Sequence, residues 1–191
     1  MARATTSVGT LADAPCVSCL RAVVTLVALV ACAPAIDLSV QSPPVRRAEP
    51  GAGERARVQR AVDGDTVEVR LAGGAIEAVR LLGIDSPESV DPRRAVQCFG
   101  REAAAAAQAL LAGRTVELVK DVEDRDGFGR LLRYVYLGDE LMNARLVVNG
   151  YAFARPHPPN LRHAELLDAL EAYARAHGLG LWSEATCAGR R

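Results

Sequence analysis

Asp63-Gly64-Asp65-Thr66-Val67-Glu68-Val69-Arg70-Leu71-Ala72-Gly73-Gly74 is the stretch on which the fold turns. Asp-Gly is turn chemistry, the next residues alternate apolar Val67, Val69 and Leu71 with polar Thr66, Glu68 and Arg70, and Gly-Gly closes the run. That is a half-buried strand bounded by two turns. Upstream, Ala56, Val58, Ala61 and Val62 lead into Asp63-Gly64, so a bent strand pair forms around the first turn. Downstream, Ile76 to Ile84 reads as a third strand whose apolar residues Val79, Leu81, Leu82 and Ile84 are broken by one charge, Arg80. It ends at Asp85-Ser86-Pro87-Glu88.

Beyond that point the texture changes twice. Glu102 to Leu111 is alanine-rich and helix-forming, with Gly113 placed to stop it. Val116, Leu118 and Val119 make a fourth strand, Asp124 to Gly129 a turn, and Leu131 to Leu137 a fifth strand ending at Gly138-Asp139. Leu141 to Asn149 is a short helix stopped by Gly150. After a proline-rich loop at Arg155 to Pro159, Leu161 to His177 is an amphipathic helix with Leu166, Leu167, Leu170 and Tyr173 on its core face. Three strands, a helix, two strands and two helices define an α+β, mainly β chain. The expected architecture is a five-stranded OB-type barrel with three packed helices. That fold serves binding modules as well as enzymes.

Arg80 is the most informative single residue. A guanidinium in an apolar strand is costly without a partner, and its planar fork suits a phosphate oxygen or a structural carboxylate. Asp65 and Asp85 fall at the ends of adjacent strands, where two carboxylates converge and would offer hard oxygen ligands to calcium. Arg130 follows a Gly-x-Gly turn and can aim a second fork at the same place. The 23 basic and 23 acidic residues cancel, so the chain as a whole exerts no long-range pull on a polyanion. Any positive patch has to be local, with Arg93, Arg94 and Arg101 as candidates against an ordinary solvated surface. Aromatic residues make up 4% of the chain, too few for a binder built on many stacking platforms.

Four blocks occur in order: Asp63-Gly64-Asp65-Thr66-Val67, Arg80-Leu81-Leu82-Gly83-Ile84-Asp85-Ser86-Pro87-Glu88, Asp126-Gly127-Phe128-Gly129-Arg130 and Gly180-Leu181-Trp182-Ser183. Together they resemble the thermonuclease family from Arg55 to about Ser183. The resemblance implies a calcium-dependent endonuclease that hydrolyses DNA and RNA to products ending in 3′-phosphates. It assigns calcium to Asp65, Asp85 and the main-chain oxygen of Ser86, a serine where threonine is more familiar. It assigns transition-state stabilisation to Arg80 and Arg130 and the role of general base to Glu88. Phe128 stands where the family's namesake has tyrosine, which removes a hydroxyl and leaves a ring able to stack on a base. The segment Arg155 to Pro159 replaces tyrosines near the nucleotide. A noncatalytic OB-type module tethered to the membrane, binding nucleic acid or protein, is the rival reading; it predicts loss of the catalytic residues, and all five are present.

Other motifs carry less. Asp63 serves the turn. Asp124-x-Asp126-Gly127 is similar to part of a calcium loop, but Val122 and Arg133 stand at its first and last ligand places. His157, His163 and His177 show no ligand spacing. Gly51-x-Gly53 follows no strand and lacks a third glycine, so it is no nucleotide loop.

The first third of the chain is of another kind. After Arg21, Ala22 to Ala31 is an apolar run broken only by Thr25, of signal length rather than membrane-spanning length. Leu29-Val30-Ala31-Cys32 resembles the lipobox of bacterial lipoproteins. On that resemblance residues 1–31 are a signal, Cys32 is acylated, and residues 32–54, rich in Pro, Ser, Arg and Gly, tether the domain of residues 55–191. The alternatives are an ordinary secretory signal cut after Ala33 or Ala35 and, behind both, an uncleaved membrane anchor. The lipobox and secretory readings imply an exported protein, at the cell envelope through a lipid anchor or secreted, and the domain is expected to be a monomer. Of five cysteines, Cys16 and Cys19 fall in the leader and Cys32 takes the lipid. Cys98 and Cys187 remain, a pair for a disulfide in an oxidising compartment or two unrelated thiols.

Overall fold

A computed structural model describes residues 53–89 and 96–190. The expected signal at residues 1–31 and the expected tether up to residue 52, with Cys32, and also Arg93 and Arg94, lie outside the described residues; Arg101 lies within them and is exposed. Among the described residues eight strands and three α-helices follow one another: β1 (Glu54–Ala61), β2 (Thr66–Leu71), β3 (Ile76–Leu81), β4 (Ile84–Asp85), α1 (Gly100–Leu111), β5 (Thr115–Val119), β6 (Leu131–Leu137), β7 (Glu140–Leu141), α2 (Met142–Val148), β8 (Phe153–Ala154) and α3 (Ala164–Ala176). A short 3-10 turn at Gly180–Trp182 ends the ordered run.

Five of these strands close the barrel expected from the sequence. The sheet runs β3-β2-β1-β5-β6 with antiparallel neighbours, and a parallel pairing of β3 with β6 joins its two edges. Closure removes the exposed edges that a five-stranded sheet would otherwise present. β1 sits at the centre: Ala56–Ala61 pair with β2 across an irregularity at Gln59, between Val58↔Val69 and Arg60↔Glu68, while Glu54–Arg57 pair with β5 on the other side. Val58, Val67, Val69, Val79, Leu81, Val116, Leu118 and Val135 are buried inside. Ala103, Ala106, Ala107 and Leu111 are the buried face of α1, which lies against β1, and α2 packs on both β6 and α3.

Two boundaries and one core assignment differ from the sequence reading. The third strand stops at Leu81, because Gly83 adopts φ 75°, and Ile84–Asp85 leave the barrel to pair with Phe153–Ala154 in a separate two-stranded sheet. A positive φ breaks a strand ladder whatever the hydrophobicity of its neighbours. α3 starts at Ala164 rather than Leu161, since Asn160 and Leu161 are engaged in a turn with His157 and Ala164. On that helix Leu167 and Leu170 are buried but Leu166, one step round the helix, is exposed.

Candidate active site

The site is built where β2, β3 and β4 meet. Asp63 starts it: its Oδ1 accepts the Asp65 N–H at 2.9 Å, closing the turn that hands the chain to β2. Gly64 sits so close to its surroundings that a Cβ there would lie 2.6 Å from the Ser86 Cβ and 2.9 Å from the Ala103 Cβ. The Asp-Gly-Asp turn can therefore press against both β4's exit and α1 only with glycine in the middle. As a result Asp65 is buried, and its Oδ2 accepts the Ser86 N–H at 2.6 Å while its Oδ1 accepts the Thr66 hydroxyl at 3.0 Å.

Arg80 lies opposite Thr66 in the β2–β3 ladder and beside Leu132 in the closing pair β3–β6. Its two terminal nitrogens divide between the carboxylates: Nη1 is 3.2 Å from Asp65 Oδ1 and Nη2 is 3.2 Å from Asp85 Oδ1. Nη1 also donates to the Leu81 carbonyl at 3.0 Å. Both aspartates thus converge on one cationic group, with Asp65 more deeply buried than Asp85.

The second arginine arrives on a turn that is organised by one carboxylate. Asp126 Oδ1 accepts the N–H groups of Phe128 and Arg130, and its Oδ2 accepts Arg130 Nε at 2.7 Å. Burial would raise the Asp126 pKa, but those hydrogen bonds and the Arg130 charge outweigh it and hold the carboxyl below the usual range. Held by its Nε, Arg130 extends Nη1 to the Thr66 hydroxyl at 3.4 Å. Thr66 donates to Asp65 and accepts from Arg130, so the two arginines and two carboxylates form one connected network. Phe128 is 88% exposed, with the Arg130 guanidinium 5.5 Å from its ring centre.

Asp65 is the electrostatic anomaly of this network. Burial pushes its pKa up to about 6, despite the lowering effect of Arg80 and the Ser86 N–H, and the Asp63 charge adds to the rise. Its negative charge is thus undercompensated by the protein alone. An open cleft of about 450 Å³ adjoins it, lined by Arg80, Arg130, Phe128, Arg155 and His157 among others.

The structure therefore brings together Asp65, Arg80, Asp85, Ser86 and Arg130 directly. It puts Phe128 on the cleft wall and Glu88 at the end of the short segment Ser86-Pro87, its backbone held by Gln97. Cys98 and Cys187, 89 residues apart, are joined by a disulfide with Cα atoms 5.9 Å apart. Sequence reasoning missed three contributors. Arg155, read only as part of a proline-rich loop, has its N–H on the Gly83 carbonyl and its guanidinium 3.8 Å from Asp85 Oδ2. The β4–β8 pairing puts it there, and two-residue strands leave no alternation to read. Thr66 and Asp126 were visible inside quoted blocks, but only the register shows what they hold.

A closed barrel that presents Arg80 and Arg130 to an open cleft, with Asp65 and Asp85 paired to Arg80, is a scaffold for chemistry on a phosphodiester. The comparisons agree in class. The sequence model of the staphylococcal nuclease homologue family matches residues 78–184. A thermonuclease of Staphylococcus intermedius is 38% identical over 130 residues, covering 68% of this chain and 77% of that protein. One from Staphylococcus hyicus is 35% identical over 127 residues, 66% of this chain and 75% of the relative. Endonuclease YncB of Bacillus subtilis is 33% identical over 129 residues, 66% of this chain and 61% of that protein. The chain belongs to the staphylococcal nuclease homologue family and is a nuclease hydrolase.

Proposed function

We propose that this protein is an exported, calcium-dependent endonuclease that hydrolyses phosphodiester bonds of DNA and RNA and leaves 3′-phosphate ends. The observation that carries the reading is the division of Arg80 between Asp65 and Asp85, with Arg130 one hydroxyl away. The donor set fits calcium: two convergent carboxylates, one of them buried and undercompensated, offer hard oxygens of the kind this ion takes. Among the described residues no group of three or more acidic, histidine or cysteine side chains gathers as a ready-made metal cluster, so the ion would rest on two carboxylates with main-chain and water oxygens. Asp65, Asp85 and the main-chain oxygen of Ser86 would hold the ion, with water and substrate completing its shell. Bound calcium would neutralise the carboxylates and allow a polyanion to approach them.

In the proposed reaction Glu88 receives a proton from the attacking water, the new O–P bond forms, and the bond from phosphorus to the 5′ oxygen breaks. Arg80 and Arg130 donate to the nonbridging oxygens, where negative charge develops. Their positions are set in advance by Asp65, Asp85 and Asp126, so little reorganisation is needed as that charge appears. Phe128 offers a face for a base, and Arg155 extends the positive wall along the cleft.

Export rests on the apolar run at residues 22–31 and on the Cys98–Cys187 bridge, a feature of oxidising compartments. We assign residues 1–31 to a signal, Cys32 to lipid attachment, residues 32–54 to a tether and residues 55–191 to a monomeric nuclease domain. The decisive experiment incubates the purified protein with single-stranded DNA and RNA in calcium or in chelator, beside Arg80→Ala and Glu88→Ala. Calcium-dependent cutting, lost in both variants, is expected. Binding without cutting across metals and pH would instead identify a tethered nucleic-acid-binding module.

A further inference from the structure

We propose that Gln97 is a positioning residue for Glu88, setting the main-chain frame from which the Glu88 carboxylate works. This rests on the assignment of Glu88 as the proton acceptor. The observation is a reciprocal clamp across nine residues: the Glu88 N–H donates to Gln97 Oε1 at 2.8 Å, and the Gln97 N–H donates to the Glu88 carbonyl at 2.8 Å. Both backbone groups of one residue are thereby satisfied by one partner. Neither group takes part in a helix or strand ladder, so the clamp supplies the backbone pairing that regular structure gives elsewhere.

Gln97 is itself held firmly. Its carbonyl accepts the Gly100 N–H at 3.0 Å, in the turn that opens α1. The next residue, Cys98, is bonded covalently to buried Cys187, and Phe99, in a left-handed conformation at φ 67°, stacks on Tyr151 at 5.7 Å. Gly100 lets the helix start close on Glu88: a Cβ there would lie 2.5 Å from the Glu88 carbonyl oxygen. Helix α1, the disulfide and the aromatic stack thus converge on Gln97, which passes their rigidity to Glu88. A base displaced by about 1 Å can cost about a hundredfold in rate, so the clamp acts on turnover rather than on substrate capture.

The test measures kcat and KM on single-stranded DNA in calcium for the full chain and four variants: Gln97→Met, Gln97→Glu, Glu88→Ala and Glu88→Ala/Gln97→Met. Methionine keeps the shape and removes the acceptor; glutamate keeps an acceptor oxygen. Gln97→Met is expected to lower kcat by about 10- to 100-fold with KM little changed. Gln97→Glu should recover most of that loss, and Gln97→Met should add nothing in the Glu88→Ala background, because the two residues act as a unit. Melting curves set a temperature at which all variants are folded. Wild-type kcat in Gln97→Met, or an equal loss with and without Glu88, overturns the proposal. Full activity in Glu88→Ala removes the base assignment and the clamp with it, whereas an inactive Glu88→Ala beside a fully active Gln97→Met removes the clamp alone.

Discussion

Asp65 and Asn143 are both buried polar residues flanking the barrel, and they are treated in opposite ways. Asn143 is 0% exposed and fully paired: its Oδ1 accepts the Val135 N–H at 2.9 Å and its Nδ2 donates to the Leu82 carbonyl at 2.8 Å. It ties α2 to β6 and to the turn before β4, and it carries no charge. Asp65 has hydrogen bonds too, yet its charge is poorly repaid and its pKa climbs to about 6. A buried polar group that is satisfied rigidifies the fold; one that is left short of compensation can be completed by a ligand. Arg133 and Arg80 repeat the contrast on adjacent strands. Arg133 is 7% exposed and closes on Asp124 and two carbonyls, whereas Arg80 faces the cleft between two carboxylates.

The largest expected effect separates the two arginines. Arg80→Ala should lower kcat by about a hundredfold or more, a loss of charge stabilisation at the reacting phosphate, with the fold retained. Arg133→Ala should leave kcat of the folded protein near wild type but cost about 2 kcal/mol or more of stability, because Asp124 and two carbonyls lose their partner. Activity assays paired with urea unfolding decide this. If Arg133→Ala proves inactive while folded, the division between structural and working arginines fails.

Next in size is Asn143→Ala, which leaves a buried N–H and a buried C=O unpaired in a small cavity. A loss of about 2–4 kcal/mol is expected with activity of the folded protein unchanged. Unfolding midpoints in urea test it, and a near-neutral result would mean that water replaces the amide.

Much of this was legible in the sequence, and the illegible parts have a common cause. Barrel strands declare themselves by period-two alternation, as in Val67, Val69 and Leu71, and the ends of α1 by alanine and glycine. Arg80 was visible because it interrupts apolar residues. Arg133 interrupts the run from Leu131 to Leu137 in the same way, however, and was passed over except as a mismatch to a calcium loop. Composition gives one signal for two fates, and only the β3–β6 register, pairing Arg80 with Leu132 and Leu81 with Arg133, tells them apart. Gln97 and Arg155 were invisible as site residues, since a reciprocal backbone clamp and a two-residue strand pair leave no period to detect. Four different motif blocks in order, read as a family resemblance, filled that gap for Asp65, Asp85 and Arg130, which no periodicity could single out.

Asp65→Asn turns the first comparison into a measurement. A carboxyl whose pKa is raised in the folded state contributes stability that is present below its unfolded pKa, about 3.8, and is lost as pH rises through about 6. At pH 7.5 without calcium, the charge therefore opposes folding. Asparagine still accepts the Ser86 N–H and removes that charge, so in chelator Asp65→Asn should be more stable than wild type. Added calcium should raise the melting temperature of the wild type and not of the variant. A variant less stable than wild type in chelator would show that the pairing with Arg80 already repays the burial.

The smallest effect belongs to His163, at the start of α3, and runs in the opposite sense. Its Nε2 shares a hydrogen bond with the Tyr136 hydroxyl at 2.9 Å, and the ring meets Tyr134 edge-on at 4.6 Å. Burial lowers its pKa, and the neighbouring Arg162 charge lowers it further against the pull of Asp121. The folded protein prefers the neutral ring, so as pH falls below about 6.5 the unfolded chain takes up the proton first and gains on the folded one. The stability advantage of wild type over His163→Gln should therefore shrink between pH 7.5 and 5.5, read from urea midpoints at each pH in chelator. Because Asp65 moves stability the other way over part of this range, the difference between the two proteins, in which Asp65 cancels, isolates the histidine. A difference independent of pH would mean that Tyr136 and Tyr134 accommodate the protonated ring as well as the neutral one, and that α3 is docked by its buried Leu167, Leu170 and Ala174 irrespective of the charge on His163.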